Sequence, residues 1–187
     1  MARTAALVLG LAGALLLGHG AIRPAAARTW RLNADGSGDA ASVKAAAAAA
    51  ATGDTLELAA GTFSNDATIT IYRKTLLVKG AGQEQTILEG PVHGNIVYIQ
   101  GPNNDTELRD LTIRGGHADV LNDPLGIGSD GGGLHAEEAY FTLRRVRITE
   151  CTAGAGGGLG GGIFMTSVQR VRPGAPGSLT RDRLGPP

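Results

Sequence analysis

The sequence predicts an all-β fold, a solenoid of short strands and tight turns with one short helix near its N-terminus. The first of three supporting observations is a repeat. Gly131-Gly132-Gly133-Leu134 recurs 29 residues later as Gly160-Gly161-Gly162-Ile163. Self-similarity at a period of 20–50 residues is typical of solenoids, propellers and arrays. Because no helical pattern lies between the two copies, the repeating unit is strand, turn, strand, turn.

The second observation is an alignment between two apolar segments. Residues 108–113 (LRDLTI) match residues 143–148 (LRRVRI) 35 positions later, and their apolar side chains coincide. If the two segments are neighbouring strands, about 4.8 Å apart, Asp110 lies beside Arg145. A stacked pair of strands with an ion pair at its surface is therefore expected.

Composition is the third observation. The chain has 30 glycines and no collagen period, which indicates many turns between short strands. Cys151 is the only cysteine, so an intrachain disulfide is excluded. After residue 27 the chain carries 15 basic and 17 acidic residues, which gives no electrostatic basis for binding nucleic acid.

Residues 1–27 resemble a signal peptide. Arg3 precedes an apolar stretch over residues 5–17, and small residues at 25–27 suit cleavage. The stretch is shorter than the about 20 residues that span a bilayer, although an uncleaved anchor is the alternative. We therefore expect a secreted, periplasmic or outer-surface protein without a transmembrane segment after cleavage.

Short elements follow in order. Residues 29–33 predict a strand, and the alanine-rich residues 40–52 predict a helix capped by Asp39 or Ser42, with an alanine-rich linker as the alternative. Residues 59–62 predict a turn. Further strands are predicted at residues 55–58, 68–71, 75–78, 86–88, 96–100 and 108–113.

The glycine repeats set a second alignment, in which Val97, Leu134 and Ile163 face inward. Alternation then turns Tyr98, His135 and Phe164 outward, where they form a stripe suited to binding sugar rings or to shielding the sheet.

Two segments fall outside the strand pattern. The polar residues 117–130 between the strands predict a loop inserted on one face, often the binding face of a solenoid. Residues 165–187 are rich in proline and arginine, which predicts a disordered tail and a truncated or frame-altered C-terminus.

A family resemblance rests on particular motifs near the N-terminus. They are Asp35-Gly36-Ser37-Gly38-Asp39, Ser42-Val43-Lys44-Ala45-Ala46, Gly53-Asp54-Thr55-Leu56, Ala60-Gly61-Thr62-Phe63 and residues 75–82. This part resembles the cap and first rungs of right-handed parallel β-helix proteins of the pectin lyase-like superfamily. The glycine repeats resemble those of bacterial surface β-helix proteins, such as polymorphic outer-membrane proteins and autotransporter passengers. The resemblance covers residues 29–164 and implies a right-handed parallel β-helix whose open end is covered by the helix.

The same resemblance implies no particular activity. The cap is similar to that of pectin methylesterases, but their glutamine–aspartate core and arginine motif are missing, as are the aspartate clusters of calcium-dependent lyases. We therefore expect an exported, monomeric, non-catalytic module that binds polysaccharide or a cell-surface partner. The alternatives are a fragment of a lyase, hydrolase or esterase acting on pectin-like uronates, and an inactive truncated product.

Candidate catalytic residues are Asp110, Asp130 and His135. Glycoside hydrolysis uses two carboxyl groups about 5–9.5 Å apart, and the inserted loop would have to bring Asp130 close to Asp110. His135 is the histidine placed on a predicted strand, where it is a possible general base. A surface ion pair at Asp110 and a structural ladder at His135 are the favoured alternatives.

The inserted loop also offers oxygen ligands for Ca²⁺, from Asp119, Asn122, Asp123 and Asp130. Their spacing matches no calcium-binding loop, so a solvated loop is the favoured alternative. No other cofactor is predicted.

Overall fold

Parallel strands are the main regular structure of the described residues. The structure, a computed structural model, describes residues 26–65, 67–90, 94–102, 104–118, 130–154, 160–166 and 170–173. The elements are β1 (Thr29–Leu32), α1 (Val43–Ala49), β2 (Thr55–Leu58), β3 (Gly61–Ser64), β4 (Ile69–Tyr72), β5 (Leu77–Lys79), β6 (Thr86–Glu89), β7 (Val97–Gln100), β8 (Asp105–Arg114), β9 (Leu134–Glu137), β10 (Tyr140–Thr149), β11 (Ile163–Thr166) and β12 (Arg170–Pro173). This content confirms the predicted all-β class with one short helix.

The strands form two sheets, and every strand pair is parallel. The first sheet runs β1-β2-β5-β8-β10-β12, with β3 beside β6 and β6 beside β8. The second runs β4-β7-β9-β11, which is also the order along the chain. Both predicted alignments are confirmed, because Leu108 pairs with Leu143 and Val97 pairs with Leu134.

A single left-handed residue interrupts each of the long strands β8 and β10. Asp110 has φ 59° and Arg145 has φ 48°. Each interruption shifts the alternation by one position, so Leu108 and Leu111 are both fully buried although they are three residues apart. Both halves of β8 therefore turn their apolar side chains toward one contiguous core.

Strands β5 and β6 correspond to the two halves of β8. β5 pairs with residues 107–109, and β6 pairs with residues 112–114. Gly80 follows β5 at a point where its backbone lies close to that of β8. A Cβ at this position would lie 2.3 Å from the carbonyl oxygen of Asp110. A side chain at this position would force the backbones apart.

The helix is shorter than predicted. Ser42 caps it by accepting a hydrogen bond from Ala45 N at 3.1 Å, and it ends at Ala49. Ala50 leaves the helical conformation with ψ 143° and packs into the core at 3 % exposure. Lys74 Nζ donates to the carbonyls of Ala47 and Ala48 in the last turn, which suits the negative end of the helix dipole.

Asp39, the other predicted cap, binds the edge of β1 instead. Its backbone N–H donates to Arg31 O at 2.8 Å, and its Oδ2 accepts from Arg31 N at 2.7 Å. One residue therefore satisfies both backbone groups that Arg31 would otherwise present at a sheet edge.

Three short strands differ from the sequence-based prediction. Residues 61–64 form β3 although residues 59–62 were expected to turn, because Phe63 is buried and its neighbours are not. Strands β11 and β12 reach Thr166 and Pro173, within the segment for which no regular structure was expected. Pairing with β9 and β10 provides the order that local sequence does not indicate.

Candidate functional site

An aromatic ladder crosses the second sheet. Tyr98 pairs with His135, and His135 pairs with Phe164, with ring centroids 5.3 and 5.1 Å apart in edge-to-face geometry. The prediction that these three residues share a face is confirmed. Tyr98 and His135 are 5 % and 4 % exposed, so this row is covered at these two residues. Alternation determines the face of a side chain but not what covers it.

A second row of side chains lies two residues further along the same strands. Tyr72, Gln100 and Glu137 are in register, and we call them the polar strip. Glu137 Oε2 accepts hydrogen bonds from Tyr98 Oη at 2.7 Å and from Gln100 Nε2 at 3.0 Å. Tyr72 is 49 % exposed. Sequence reasoning missed this row, although the alternation that selected Tyr98 places Gln100 on the same face.

Asp110 forms the predicted ion pair. Arg145 Nη2 donates to its Oδ2 at 2.9 Å, and the Arg145 Nε donates to Oδ1. The hydrogen bond from Arg145, with the positive charges of Arg145 and Arg109, holds the pKa of Asp110 below its ordinary value. A carboxylate kept ionised in this way is a poor general acid.

Asp130 lies four residues before the start of β9, which is a strand of the second sheet. Its backbone carbonyl accepts a hydrogen bond from Asn95 Nδ2 at 2.6 Å. Asp110 is on β8 of the first sheet, whereas β9, which follows Asp130, belongs to the second sheet. His135, the third candidate, belongs to the aromatic ladder.

The predicted calcium ligands Asp119, Asn122 and Asp123 lie outside the described residues, and Asp130 is the one ligand of that set within them. Across the described ranges, no group of three or more His, Cys, Asp or Glu side chains is placed to hold a metal ion. The described part also contains no helix that is long and apolar enough to cross a membrane.

Cys151 is not poised as a nucleophile. Burial raises the pKa of its thiol, and Sγ donates to the carbonyl of Thr149 at 3.2 Å. His117, the first residue of the expected inserted loop, lies beside Thr152, and its Nδ1 contacts the Thr152 hydroxyl. A thiol with a raised pKa carries little thiolate at neutral pH.

The outer face of the first sheet carries a dense row of charges. Pairing aligns Arg31, Glu57, Lys79, Arg109 and Arg144 on five neighbouring strands. We call these five residues the charge ladder. Beside it lies a groove of about 560 Å³, whose lining includes Arg31, Glu57, Lys79 and Asp110. Sequence reasoning found the Asp110 pair but not this row, because it missed the pairing between the short early strands.

Comparisons with family models, curated proteins and solved structures find no match to this chain.

Proposed function

We propose that the chain is a right-handed parallel β-helix of the pectin lyase-like kind, exported from the cell, that binds polysaccharide without catalysing a reaction. The strand order supports the solenoid, since successive strands add in parallel to the growing edge of each sheet. The short helix buries Val43, Ala46 and Ala47 at the N-terminal end, as a solenoid cap does.

The polar strip is the observation that carries the binding function. A sugar presents apolar C–H faces and many hydroxyls, which an aromatic ring and planar polar groups can contact together. The exposed ring of Tyr72 lies in register with Gln100 and Glu137, and the Glu137 carboxylate is already oriented by two donors. This row therefore offers a stacking surface beside a preorganised acceptor.

The state of the candidate acids favours binding over turnover. Asp110 is engaged by Arg145 and is held ionised, and Asp130 lies by the other sheet. Glycoside hydrolysis needs one carboxyl group that can act as an acid, and an Asp110 held ionised by Arg145 is unsuited to that role.

Titration calorimetry of the purified chain with pectin and alginate, with and without Ca²⁺, tests the proposal. We expect the calorimeter to detect binding, and a separate assay of the same mixtures to detect no release of reducing or unsaturated ends from the polysaccharide. Tyr72→Ala should weaken binding about five- to tenfold, the loss of one stacked aromatic contact. Met165→Ala is the matched control, because Met165 is the other large exposed apolar side chain among the described residues and its loss should leave affinity unchanged. Product release that disappears in Asp130→Ala would contradict the non-catalytic assignment.

A further inference from the structure

The charge ladder contains three cations in a row. Lys79 pairs with Arg109, and Arg109 pairs with Arg144, so three positive side chains occupy neighbouring strands about 4.8 Å apart. Like charges directly opposite each other destabilise a sheet. The ladder continues through Glu57 to Arg31 and spans four strand spacings, about 19 Å in all.

Carboxylates on this face are shared rather than matched one to one. Glu57 lies 3.0 Å from Lys79 and 3.7 Å from Arg31. Glu107 lies 3.2 Å from Arg144 and 3.8 Å from Arg109. Within the charge ladder, Glu107 and the Asp110–Arg145 pair, three carboxylates contact five cations, whereas the whole chain has a formal net charge of zero.

Arg109 is the least satisfied member of the ladder. Its Nε is buried and makes no hydrogen bond to any described residue, and the carboxylate oxygen of Asp110 lies 3.9 Å away. Arg31 is at the open end, with 77 % of its side chain exposed and a 3.7 Å contact to Glu57. The buried Nε is not open to an added anion, but the Arg109 side chain as a whole is 33 % exposed and the Arg31 side chain is 77 % exposed, so an added anion can reach both side chains.

We propose that the charge ladder, with Arg145 beside it, is a binding site for a linear sulfated polysaccharide lying across the strands of the first sheet. The three adjacent cations extend over about 10 Å, which is longer than a single small anion. A ligand that contacts all three therefore needs several anionic groups repeated along a polymer. Four of the five cations are arginines, whose guanidinium is weakly hydrated. A sulfate ester spreads one charge over three oxygens and is itself weakly hydrated, so it suits arginine better than a carboxylate does.

A peptide suits this face less well. An extended peptide needs a strand edge to satisfy its backbone N–H and C=O groups. The ladder crosses the faces of strands β1, β2, β5, β8 and β10, whose backbones are paired with one another. The hydroxyls of a sugar chain remain solvated on such a surface. An acidic peptide is therefore a separate outcome of the test.

The experiment compares dextran sulfate with dextran, polygalacturonate, polyglutamate and inorganic sulfate, using the full chain and fluorescence anisotropy of labelled polymers. Dextran sulfate should bind most tightly, and its affinity should fall as salt rises. Arg109→Gln should weaken it by about fivefold and Lys79→Gln/Arg109→Gln by about 25-fold, with partial recovery in Arg109→Lys. Glu107→Gln removes one competing carboxylate and should tighten binding by about threefold.

Arg114→Gln is the matched control. Arg114 is on the same strand as Arg109, but it pairs with Glu89 at 2.8 Å outside the ladder. If Arg114→Gln weakens dextran sulfate binding as much as Arg109→Gln does, or if Glu107→Gln does not tighten it, the charge ladder is not the binding site. Equal or tighter binding of polygalacturonate or polyglutamate would overturn the sulfate assignment. The loss caused by Arg109→Gln should be the same in a Tyr72→Ala background as in wild type, so this proposal and the polar strip can fail independently.

Discussion

Replacing Asp54 with alanine should release the N-terminal strand from the body of the protein. Asp54 is 5 % exposed, and its carboxylate accepts three hydrogen bonds. Arg28 N donates at 2.8 Å, Trp30 Nε1 at 3.0 Å and Ala51 N at 2.9 Å. One side chain thus joins the start of β1, the segment after the helix and the turn before β2.

The expected loss follows from the environment of the three donors. A hydrogen bond to a charged group contributes about 1.5–3 kcal/mol when its loss leaves a buried donor unsatisfied. Trp30 is half-buried, whereas Arg28 and Ala51 are exposed and can bond to water instead. Asp54→Ala should therefore lower the free energy of unfolding by about 2–4 kcal/mol. With a urea m-value of about 2 kcal/mol/M, the midpoint falls by about 1–2 M.

Trp30 is the single tryptophan of the chain and reports this site directly. Urea unfolding is followed by its fluorescence and by far-UV circular dichroism. Asp35→Ala is the control, because Asp35 accepts two hydrogen bonds from Ser37 within an exposed turn and should leave the midpoint unchanged. A midpoint for Asp54→Ala equal to that of wild type, or to that of Asp35→Ala, would refute the reasoning.

Acid should reproduce the effect. The hydrogen bond from Trp30, followed by that from the Arg28 backbone, holds the folded-state pKa of Asp54 below its ordinary value. A depressed folded pKa contributes stability that is fully present above the unfolded pKa of about 3.9 and is lost as pH falls through the folded value. Below about pH 4, wild type should lose stability more steeply than Asp54→Asn.

Three further outcomes test the fold and the assignments. Leu108→Ala, at a fully buried position, should cost about 2–5 kcal/mol in urea unfolding, whereas exposed Thr62→Ala should not change the midpoint. Gly80→Ala, whose Cβ would meet Asp110 O at 2.3 Å, should cost about 2–4 kcal/mol. Gly115→Ala should cost about 1–2 kcal/mol, since only its positive φ is unfavourable, and equal costs for the two glycines would contradict the close approach. Cys151 should react with a thiol reagent at least tenfold more slowly in the folded protein than in urea, and equal rates would contradict its burial.

The parts of the fold that repeat could be predicted from the sequence. The alignment of residues 108–113 with residues 143–148 gave the correct pairing and the Asp110–Arg145 contact. The spacing of three between Leu108 and Leu111 is also a readable signal of the left-handed residue between them, since an uninterrupted strand would use two. Because the same apolar pattern occurs twice, it identifies both strands and their pairing even where the local strand propensity is weak.

Single contacts without a repeat were missed. Sequence reasoning included Asp54 only within the motif Gly53-Asp54-Thr55-Leu56, because no local pattern shows that Trp30 and Ala51 converge on it. Strand β3 was taken for a turn since Gly61 and Thr62 favour one locally. Burial of Tyr98 and His135 likewise depends on neighbours that are distant in sequence.

The outer edge of β1 is covered by Asp39, so strands of the first sheet are added on one side of β1 only. Because Asp39 satisfies both backbone groups of Arg31, new strands are accommodated on the other side, toward the C-terminus. Paired residues of neighbouring strands are separated by between 22 and 37 positions along the chain. The entropy lost in closing each new loop is therefore nearly the same for early and late strands. Such a chain can become ordered segment by segment as it emerges N-terminus first, and each completed strand is the template for the next.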